Sequence, residues 1–319
     1  MISISRTYLP SLTEYNKYLK KIWKTNWLTN DGNLVQELEN KLKAYWGVRH
    51  VVCVSNGTSA IEIALKALDV KKEIYVSPFS FIATISAPMW LGITPKFVDL
   101  DKEFKSPALV THTYGIPQMT KARPVIYDAS HAFAVKVKGK SIMNYGDVSI
   151  VSFHATKIFQ TAEGGAVVTN NDEIAEKARW MRNFGYKSEY AFQGVGINAK
   201  MSELHAAMGL CNLRNIDNVV AKYQKLVDRY NDAFGTNYKD VSYYPLMCAS
   251  DPTKIIEALN KRDIFPRRYF YPSLNNVFGN QSCPLAENMA KSVLCLPLYY
   301  ELTNKQQDLI IKIVKGATA

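Results

Sequence analysis

A lysine that follows an apolar segment is the strongest candidate for chemistry in this sequence. Lys157 comes shortly after the apolar run at residues 148–153, and Glu163-Gly164-Gly165 follows it. A lysine that is desolvated at the end of a strand can have its pKa lowered enough to form a Schiff base with a carbonyl compound. A single lysine is more often a solvent-exposed surface residue. That alternative leaves the two adjacent glycines unexplained, since such glycines allow a ligand to approach the backbone closely.

A short polar segment between a predicted strand and a predicted helix is a candidate anion site. Residues 55–59 are Ser-Asn-Gly-Thr-Ser, so backbone N–H groups and small hydroxyls surround the start of the helix. The helix dipole favours a negative charge at that position. Any helix with a polar N-cap shows a similar pattern. The segment therefore indicates a phosphate site only in combination with the other motifs.

An acid just past another apolar strand could serve an electron-withdrawing cofactor. Asp128 follows the apolar residues 125–127. A carboxylate there can hydrogen-bond a protonated pyridine nitrogen and keep it cationic, which makes pyridoxal 5′-phosphate (PLP) an electron sink. The alternative is an aspartate that caps the next turn. A further motif, at residues 194–202, is a glycine-containing turn before a predicted helix, and an ordinary loop with a helix cap would look the same.

The elements that must position these motifs alternate between strands and helices. Helical spacing over residues 34–45 ends at Gly47, and residues 60–68 and 81–91 predict two further helices. Short apolar segments predict buried strands at residues 50–54, 74–76, 96–98, 108–111, 124–127, 148–153 and 166–169. This alternation predicts an α/β fold with a mostly parallel sheet flanked by helices. Ligands of such sheets bind at the carboxyl ends of the strands.

The pattern changes after Met201 to longer helices and then to shorter strand and helix segments. We therefore predict a large PLP-binding α/β domain at residues 1–215 and a smaller C-terminal α+β domain at residues 216–319. The uncharged segment at residues 74–95 is long enough to cross a bilayer. Its prolines and hydroxyl side chains favour a strand, a turn and a buried helix instead, and we expect no membrane partner.

The composition is that of a globular protein. Of the 319 residues, 47% are hydrophobic and 21% are charged, and the net charge of +11 favours anionic partners such as phosphorylated small molecules. The basic residues form no recognisable nucleic-acid motif, so we expect no nucleic-acid partner. The five cysteines form no CxxC pair, which favours a reducing compartment. The first residues lack the apolar stretch of a signal peptide, and we expect a cytoplasmic protein without a bound metal.

Taken in their order along the chain, these motifs resemble those of the DegT/DnrJ/EryC1/StrS family of PLP-dependent nucleotide-sugar aminotransferases, of aminotransferase fold type I. The resemblance runs from Trp-Leu-Thr at residues 27–29 to Leu-Pro-Leu-Tyr at residues 296–299. It implies that Lys157 forms the Schiff base with PLP and moves a proton during catalysis. It also implies that Asp128 pairs with the pyridine nitrogen and that His131 lies near the ring and its phenolic oxygen.

The same resemblance assigns the remaining cofactor contacts. It implies that the ring stacks on Phe81 and that the phosphate is held by Gly57, Thr58, Ser59 and Ser152. Asn198 is similar to a residue that reaches the phosphate of the cofactor bound to the neighbouring subunit. A homodimer with shared active sites is therefore implied.

The chain most resembles the compact subgroup that acts on nucleotide-linked 4-keto-6-deoxyhexoses. This similarity implies transfer of the amino group of L-glutamate to C4 of a dTDP-linked 4-keto-6-deoxyhexose. The product would be the 4-amino-4,6-dideoxyglucose derivative, for glycan or O-antigen sugar biosynthesis. The residues that would contact the substrate are Trp27, Thr29, His154 and Lys200, with residues 267–269 helping to orient the sugar.

Two alternatives to this activity remain open. The same cofactor machinery could aminate C3 of a 3-keto-6-deoxyhexose, and a non-catalytic PLP-binding protein could share the fold. Dehydratases of the family carry a histidine where this chain has Lys157. The chain also departs from most relatives between Asp101 and His112, where it largely omits a helix-containing stretch. This departure concerns the substrate contacts more than the cofactor site.

Overall fold

Short strands alternate with longer helices through the first part of the chain. The computed structural model describes residues 1–279 and 281–318. Within these residues the strands are β1 (Ile2–Ser3), β2 (His50–Val54), β3 (Glu73–Val76), β4 (Thr94–Phe97), β5 (Ala108–Thr111), β6 (Val125–Asp128), β7 (Lys136–Val137), β8 (Lys140–Ser141), β9 (Val148–Ser152), β10 (Gly165–Thr169), β11 (Tyr186–Ser188), β12 (Ala191–Phe192), β13 (Tyr244–Met247), β14 (Ile264–Phe265) and β15 (Val293–Leu296). The α-helices are α1 (Leu12–Thr25), α2 (Asn33–Trp46), α3 (Gly57–Ala67), α4 (Ala83–Trp90), α5 (Asp172–Met181), α6 (Glu203–Leu213), α7 (Ile216–Phe234), α8 (Thr253–Asn260), α9 (Asn275–Phe278), α10 (Pro284–Ser292) and α11 (Asn304–Thr318).

Seven strands form one sheet in the order β2-β10-β9-β6-β5-β3-β4. The neighbours from β9 to β4 pair in parallel, whereas β10 runs antiparallel to both β9 and β2. Every residue of β5 and of β6 is buried, as expected for central strands that are covered on both faces. The predicted mostly parallel sheet flanked by helices is confirmed.

Amphipathic helices bury one face each beside this sheet. Helix α2 ends at Gly47, whose φ of +63° is the left-handed conformation that glycine adopts without strain. Helix α3 begins at Gly57, earlier than the predicted residue 60. The reason is that the Asn56 side chain accepts a hydrogen bond from the Ser59 N–H and caps the helix there.

Two crossovers between parallel strands contain no α-helix. Residues 98–107 connect β4 to β5 and residues 112–124 connect β5 to β6, and the 3-10 turn Thr113–Gly115 is the only helical turn in these described segments. A small second core forms along these strands and crossovers, from Val98, Phe104, Ala108, Val110, Ala122, Val125 and Tyr127. The region between Asp101 and His112, where the sequence predicts an omitted helix-containing stretch, therefore lies among loop segments and this small core.

The C-terminal part combines helices with a small antiparallel sheet of β13 and β15. Helix α7 begins at Ile216, and β1, from the start of the chain, pairs in parallel with β14. The first residues therefore pack with the C-terminal segment, and the boundary after residue 215 stays a prediction. Among the described residues, no helix combines the length and the apolar character needed to span a membrane.

Candidate active site

The strands β6 and β9 end beside a cavity of about 350 Å³. Asp128 is the last residue of β6 and Ser152 is the last residue of β9, while the start of α3 and side chains of the C-terminal part complete the walls. The cavity is lined by Asn56, Gly57, Thr58, Ile61, Phe81, Ala83, Thr111, Asp128, Ser130, His131, Ile150, Ser152, His154, Thr156, Lys157, Glu163, Tyr243, Tyr269 and Phe270. Most of the predicted cofactor residues thus lie together.

Lys157 reaches the cavity from the loop that follows β9. Its N–H donates a hydrogen bond to the His154 carbonyl at 2.9 Å, which turns the loop back on itself. The side chain is half-buried, and the amine lies 5.9 Å from the centre of the Tyr243 ring. Burial lowers the pKa of Lys157 from 10.5 to about 8, and the negative charge of Asp128 opposes this shift. The lysine therefore loses its proton more easily than usual, and the uncharged amine is the form that attacks a carbonyl carbon.

Asp128 is a buried carboxylate at the end of β6. Its Oδ1 atom accepts a hydrogen bond from the Ser130 N–H at 3.0 Å. Burial raises the pKa of Asp128, whereas the hydrogen bonds from Ser130 and the positive charge of Lys157 lower it. An acid in this position is suited to bind a cationic ring nitrogen. The positive charge and hydrogen bond of that nitrogen would stabilise a carboxylate that burial has separated from water.

His131 lies in the turn that follows β6, and its ring is buried. The Nδ1 atom accepts a hydrogen bond from the Tyr114 N–H at 3.1 Å. Burial holds the pKa of His131 well below its ordinary value, and the positive charge of Lys157 lowers it further. The ring packs 4.8 Å from the ring of Tyr243 and is nearly parallel to that of Phe270, at 5.9 Å. His131 is therefore a neutral imidazole in a fixed orientation.

The start of α3 presents unpaired backbone donors at the cavity wall. The N–H groups of Gly57 and Thr58 have no hydrogen-bond partner among residues 1–279 and 281–318. Ser59 is engaged differently, since its N–H and its hydroxyl both donate to the Asn56 Oδ1 atom, at 2.8 and 2.7 Å, and it does not line the cavity. The donors that remain for an anion are therefore the first two amides of the helix, with the Ser152 side chain beside them.

Two of the glycines near this site lie close to other segments of the chain. A Cβ atom on Gly165 would lie 2.6 Å from the backbone carbon and oxygen of Asn56, which is shorter than side chains tolerate. One on Gly57 would lie 3.0 Å from the Ser152 Cβ atom, so Ser152 would have to shift slightly. At Gly165 the close approach is therefore to the backbone of Asn56, whereas the sequence predicted an approach to a ligand at Gly164-Gly165.

Aromatic side chains from both parts of the chain form one wall. Phe81 is 56% exposed, and its ring lies 6.1 Å from that of Phe270. Tyr269 and Tyr243 pack edge to face at 5.1 Å. Sequence reasoning missed Tyr243 and Phe270 as cavity residues, because no local signal separates them from core aromatics of the C-terminal part.

The predicted substrate residues divide into two groups. His154 lies at the exposed rim of the cavity, where its Nδ1 atom is 2.9 Å from the Thr156 hydroxyl. Trp27, Thr29 and Lys200 do not line this cavity, and neither does Asn198, which was predicted to contact the cofactor phosphate. Lys200 donates a hydrogen bond to the Asn198 Oδ1 atom at 2.6 Å, and Trp27 is 54% exposed. The residues of this second group therefore make no contact with the cavity of their own chain.

Known proteins resemble this chain over nearly its whole length. The sequence matches the DegT/DnrJ/EryC1/StrS aminotransferase family over residues 12–122 and 118–315. It is 35% identical to the dTDP-4-amino-4,6-dideoxy-D-glucose transaminase of Shigella dysenteriae, with 98% of each chain covered. It is 32% identical to a transaminase of the same name from Escherichia coli, over 98% of this chain and 97% of that one.

The fold shows the same relationship. The structure matches that of DesI determined in the presence of its TDP-sugar product, with a TM-score of 0.91, 25% sequence identity, and coverage of 99% of this chain and 93% of DesI. The predicted aminotransferase class, fold type I and PLP cofactor are confirmed, and the chain belongs to the DegT/DnrJ/EryC1/StrS aminotransferase family.

Proposed function

We propose that this chain transfers the amino group of L-glutamate to C4 of a dTDP-linked 4-keto-6-deoxyhexose, which yields the 4-amino-4,6-dideoxyglucose derivative. The observation that carries the proposal is the meeting of Lys157 and Asp128 in one cavity. The choice of sugar is supported by the two relatives named as transaminases of that amino sugar, at 35% and 32% identity. The product would serve the synthesis of a glycan.

The residues of the cavity fit PLP in charge and in shape. The N–H groups of Gly57 and Thr58 are free to bind a phosphate, and the Ser152 side chain lines the same end. A cavity of about 350 Å³ is within the usual size of a small-ligand site. When bound, PLP supplies an aldehyde and a cationic ring. The ring withdraws electrons from the substrate carbon that bears the amino nitrogen. Phe81 would stack on one face of that ring, and Asp128 would hold its ring nitrogen.

Lys157 has two tasks in this proposal. Its Nζ atom would hold the cofactor, and when free of it would take the proton from Cα of glutamate. A lowered pKa suits both tasks, because the amine must be uncharged before it can attack a carbon or accept a proton. Lys157 would later deliver a proton to C4 of the sugar, so that one carbon–hydrogen bond is broken at Cα of glutamate and one is formed at C4.

The side chains around Lys157 orient the reactants and exclude water. The ring of Tyr243, from the C-terminal part, lies between those of His131 and Tyr269. His131, with Nδ1 occupied by the Tyr114 N–H, offers a donor to the phenolic oxygen of PLP. His154 at the rim is placed to contact the sugar nucleotide as it enters.

We also propose a homodimer in which each subunit completes the site of the other. The support is that Asn198 and Lys200 do not line their own cavity. They lie next to a hairpin of β11 and β12 with exposed apolar side chains. Phe192 is 67% exposed and Val195 is 92% exposed. Burying such side chains against a second copy would bring Asn198 to the phosphate, and Trp27, Thr29 and Lys200 to the substrate, of the neighbouring site.

We further propose that helix α7, which begins at Ile216, starts a smaller C-terminal domain.

We also propose a cytoplasmic location. Asn56-Gly57-Thr58 is a glycosylation sequon, and the Asn56 side chain is bonded to Ser59 by two hydrogen bonds. A glycan on Asn56 would break this cap and cover the phosphate donors. All five cysteines are free of disulfides, which agrees with a reducing compartment.

A single-turnover reaction with the amino donor tests the proposal. Wild-type protein loaded with PLP is mixed with excess L-glutamate in the absence of sugar, and 2-oxoglutarate is measured. We expect a burst close to one equivalent per subunit. Lys157→Ala should bind PLP through its phosphate and ring and give no burst, and Lys157→Arg controls for the loss of positive charge. Wild-type protein that binds PLP and gives no burst with any amino acid would favour a non-catalytic PLP-binding protein instead.

A further inference from the structure

The strand β2 lies at one end of the sheet, yet its outer edge is occupied by two charged side chains. The Glu39 Oε1 atom accepts a hydrogen bond from the Cys53 N–H at 2.9 Å, and the Arg182 Nη1 atom donates to the Cys53 carbonyl at 2.7 Å. Glu39 and Arg182 are each only 4% exposed and are joined at 2.6 Å. Together they satisfy the two backbone groups of Cys53 that a further strand would otherwise bind.

Arg182 also connects this edge to two other segments. Its Nη2 atom donates to the Asp31 carboxylate at 2.6 Å, in the loop that leads into α2. Its carbonyl accepts a hydrogen bond from the Ala199 N–H at 2.9 Å, and the Ala199 carbonyl in turn accepts from the Ser55 N–H at 2.8 Å. These two bonds join backbone atoms only, so the side chain of Arg182 acts on the same segment through its bond to the Cys53 carbonyl.

Only an arginine can make this set of contacts. A guanidinium presents several N–H donors in a rigid plane, so it can bond Glu39, Cys53 and Asp31 in different directions. A lysine would keep the charge as a single point on a flexible stem. Buried ion pairs often add little to stability compared with apolar side chains of similar volume, so stability alone is a weak reason for this cluster.

We propose that Arg182 is a positioning residue for the phosphate of the cofactor: it fixes the segment from Cys53 to Thr58 against the segment from Asn198 to Lys200. The proposal rests on the proposed function, because it takes the Gly57 and Thr58 amides as the phosphate donors. Arg182 itself does not line the cavity. Its loss should weaken recognition of the phosphate more than recognition of the pyridine ring.

The ratio of two binding constants isolates this effect. Protein freed of PLP is titrated with PLP and, separately, with pyridoxal, which lacks the phosphate but still reacts with Lys157. The variants are Arg182→Lys and the double variant Glu39→Met/Arg182→Met, which replaces the buried pair with apolar side chains of similar length. For both variants we expect the Kd of PLP to rise at least about tenfold and that of pyridoxal to change by less than about twofold.

Arg179→Lys is the matched control, since Arg179 also pairs with Glu39, at 2.9 Å, but its side chain is 40% exposed. The ratio of the Kd of PLP to the Kd of pyridoxal should be the same in Arg179→Lys as in the wild type. Equal losses for both ligands, an unchanged ratio, or failure of both Arg182 variants to fold would overturn the inference and assign Arg182 to the fold alone. A wild-type protein that shows no preference for PLP over pyridoxal would instead remove the proposed phosphate site and, with it, the proposed function.

Discussion

The Nδ1 atom of His131 accepts a hydrogen bond from the backbone N–H of Tyr114 at 3.1 Å. An atom that accepts a hydrogen bond carries no proton, and burial keeps the pKa of the ring well below its ordinary value. The single proton of the neutral imidazole therefore sits on Nε2. His131 can therefore offer a ligand in the cavity a donor at this atom.

Replacing His131 tests this donor. His131→Phe keeps the ring and removes the Nε2–H, and we expect kcat/KM for L-glutamate to fall about ten- to hundredfold, because a hydrogen bond to a charged group contributes about 1.5–3 kcal/mol. His131→Gln retains a side-chain N–H and should recover most of the loss. Steady-state kinetics together with melting temperatures measure both effects. Wild-type kcat/KM in the Phe variant would show that the donor has no part in the reaction.

The lowered pKa of Lys157 predicts how the PLP-free protein responds to pH. The folded protein loses the lysine proton at about 8, whereas the unfolded chain keeps it up to 10.5. Between these values the unfolded state binds more protons, so the free energy of unfolding rises with pH across this window. The rate of covalent PLP binding should rise through a midpoint near pH 8, since the neutral amine is the reactive form.

Asp128 provides the control for this titration. Its negative charge raises the pKa of Lys157, so Asp128→Asn should move the midpoint to lower pH. Stopped-flow absorbance measures the rate, and Lys157→Ala should show none of the pH-dependent signal. A midpoint that stays near the ordinary lysine value of 10.5 in the wild type would contradict the desolvated environment of this side chain.

The contact between β10 and the start of α3 predicts the effect of a single methyl group. In Gly165→Ala the added Cβ would lie 2.6 Å from the Asn56 backbone, so the capped end of the helix must move. We expect a loss of about 1–3 kcal/mol in the free energy of unfolding and at least about tenfold weaker PLP binding. Denaturant unfolding and PLP titration measure the two quantities.

Gly316→Ala is the control for that substitution, because a Cβ atom there meets nothing within 4 Å. It should leave PLP binding unchanged and stabilise α11 by about 0.5–1 kcal/mol. Wild-type PLP affinity in Gly165→Ala would mean that the α3 terminus does not bind the phosphate.

Sharing of sites between subunits predicts complementation between two inactive variants. Lys157→Ala lacks the amine of its own cavity, and Asn198→Ala lacks the side chain proposed to serve the neighbouring one. A mixture that exchanges subunits should contain dimers with one intact site, and activity should return. Sedimentation equilibrium before and after mixing measures the oligomeric state. Full activity in a monomer would eliminate the shared site.

Local patterns predicted the sheet and the positions of Asp128 and Lys157, since short apolar runs identify strands and functional residues follow strand ends. Ser152 was predicted from the family resemblance. The start of α3 was predicted less accurately, because one cap by Asn56 decides it. Ser59 was predicted as a phosphate contact from its place in the motif. In the structure its donors are used within the helix cap.

Contacts between distant segments were beyond local patterns. Arg182 and Glu39 are separated by 143 positions, and an arginine near the end of a helix normally indicates a solvent-exposed charge. Tyr243 and Phe270 enter the cavity only because the C-terminal part packs against the sheet. The contributions proposed for Asn198 and Lys200 require a second chain, so neither the sequence pattern nor one chain's packing places them.

The central claim concerns the carbon that receives the amine, and its most direct test is the product of the full reaction. PLP-loaded protein is incubated with L-glutamate and, in separate reactions, with the dTDP-linked 4-keto-6-deoxyglucose and with its 3-keto isomer. NMR spectroscopy locates the new amine, and 2-oxoglutarate is measured alongside. We predict one 2-oxoglutarate for each sugar aminated at C4 and little reaction of the 3-keto isomer. Turnover of the 3-keto isomer that is faster by about tenfold, or about 1.4 kcal/mol of transition-state preference, would contradict the account.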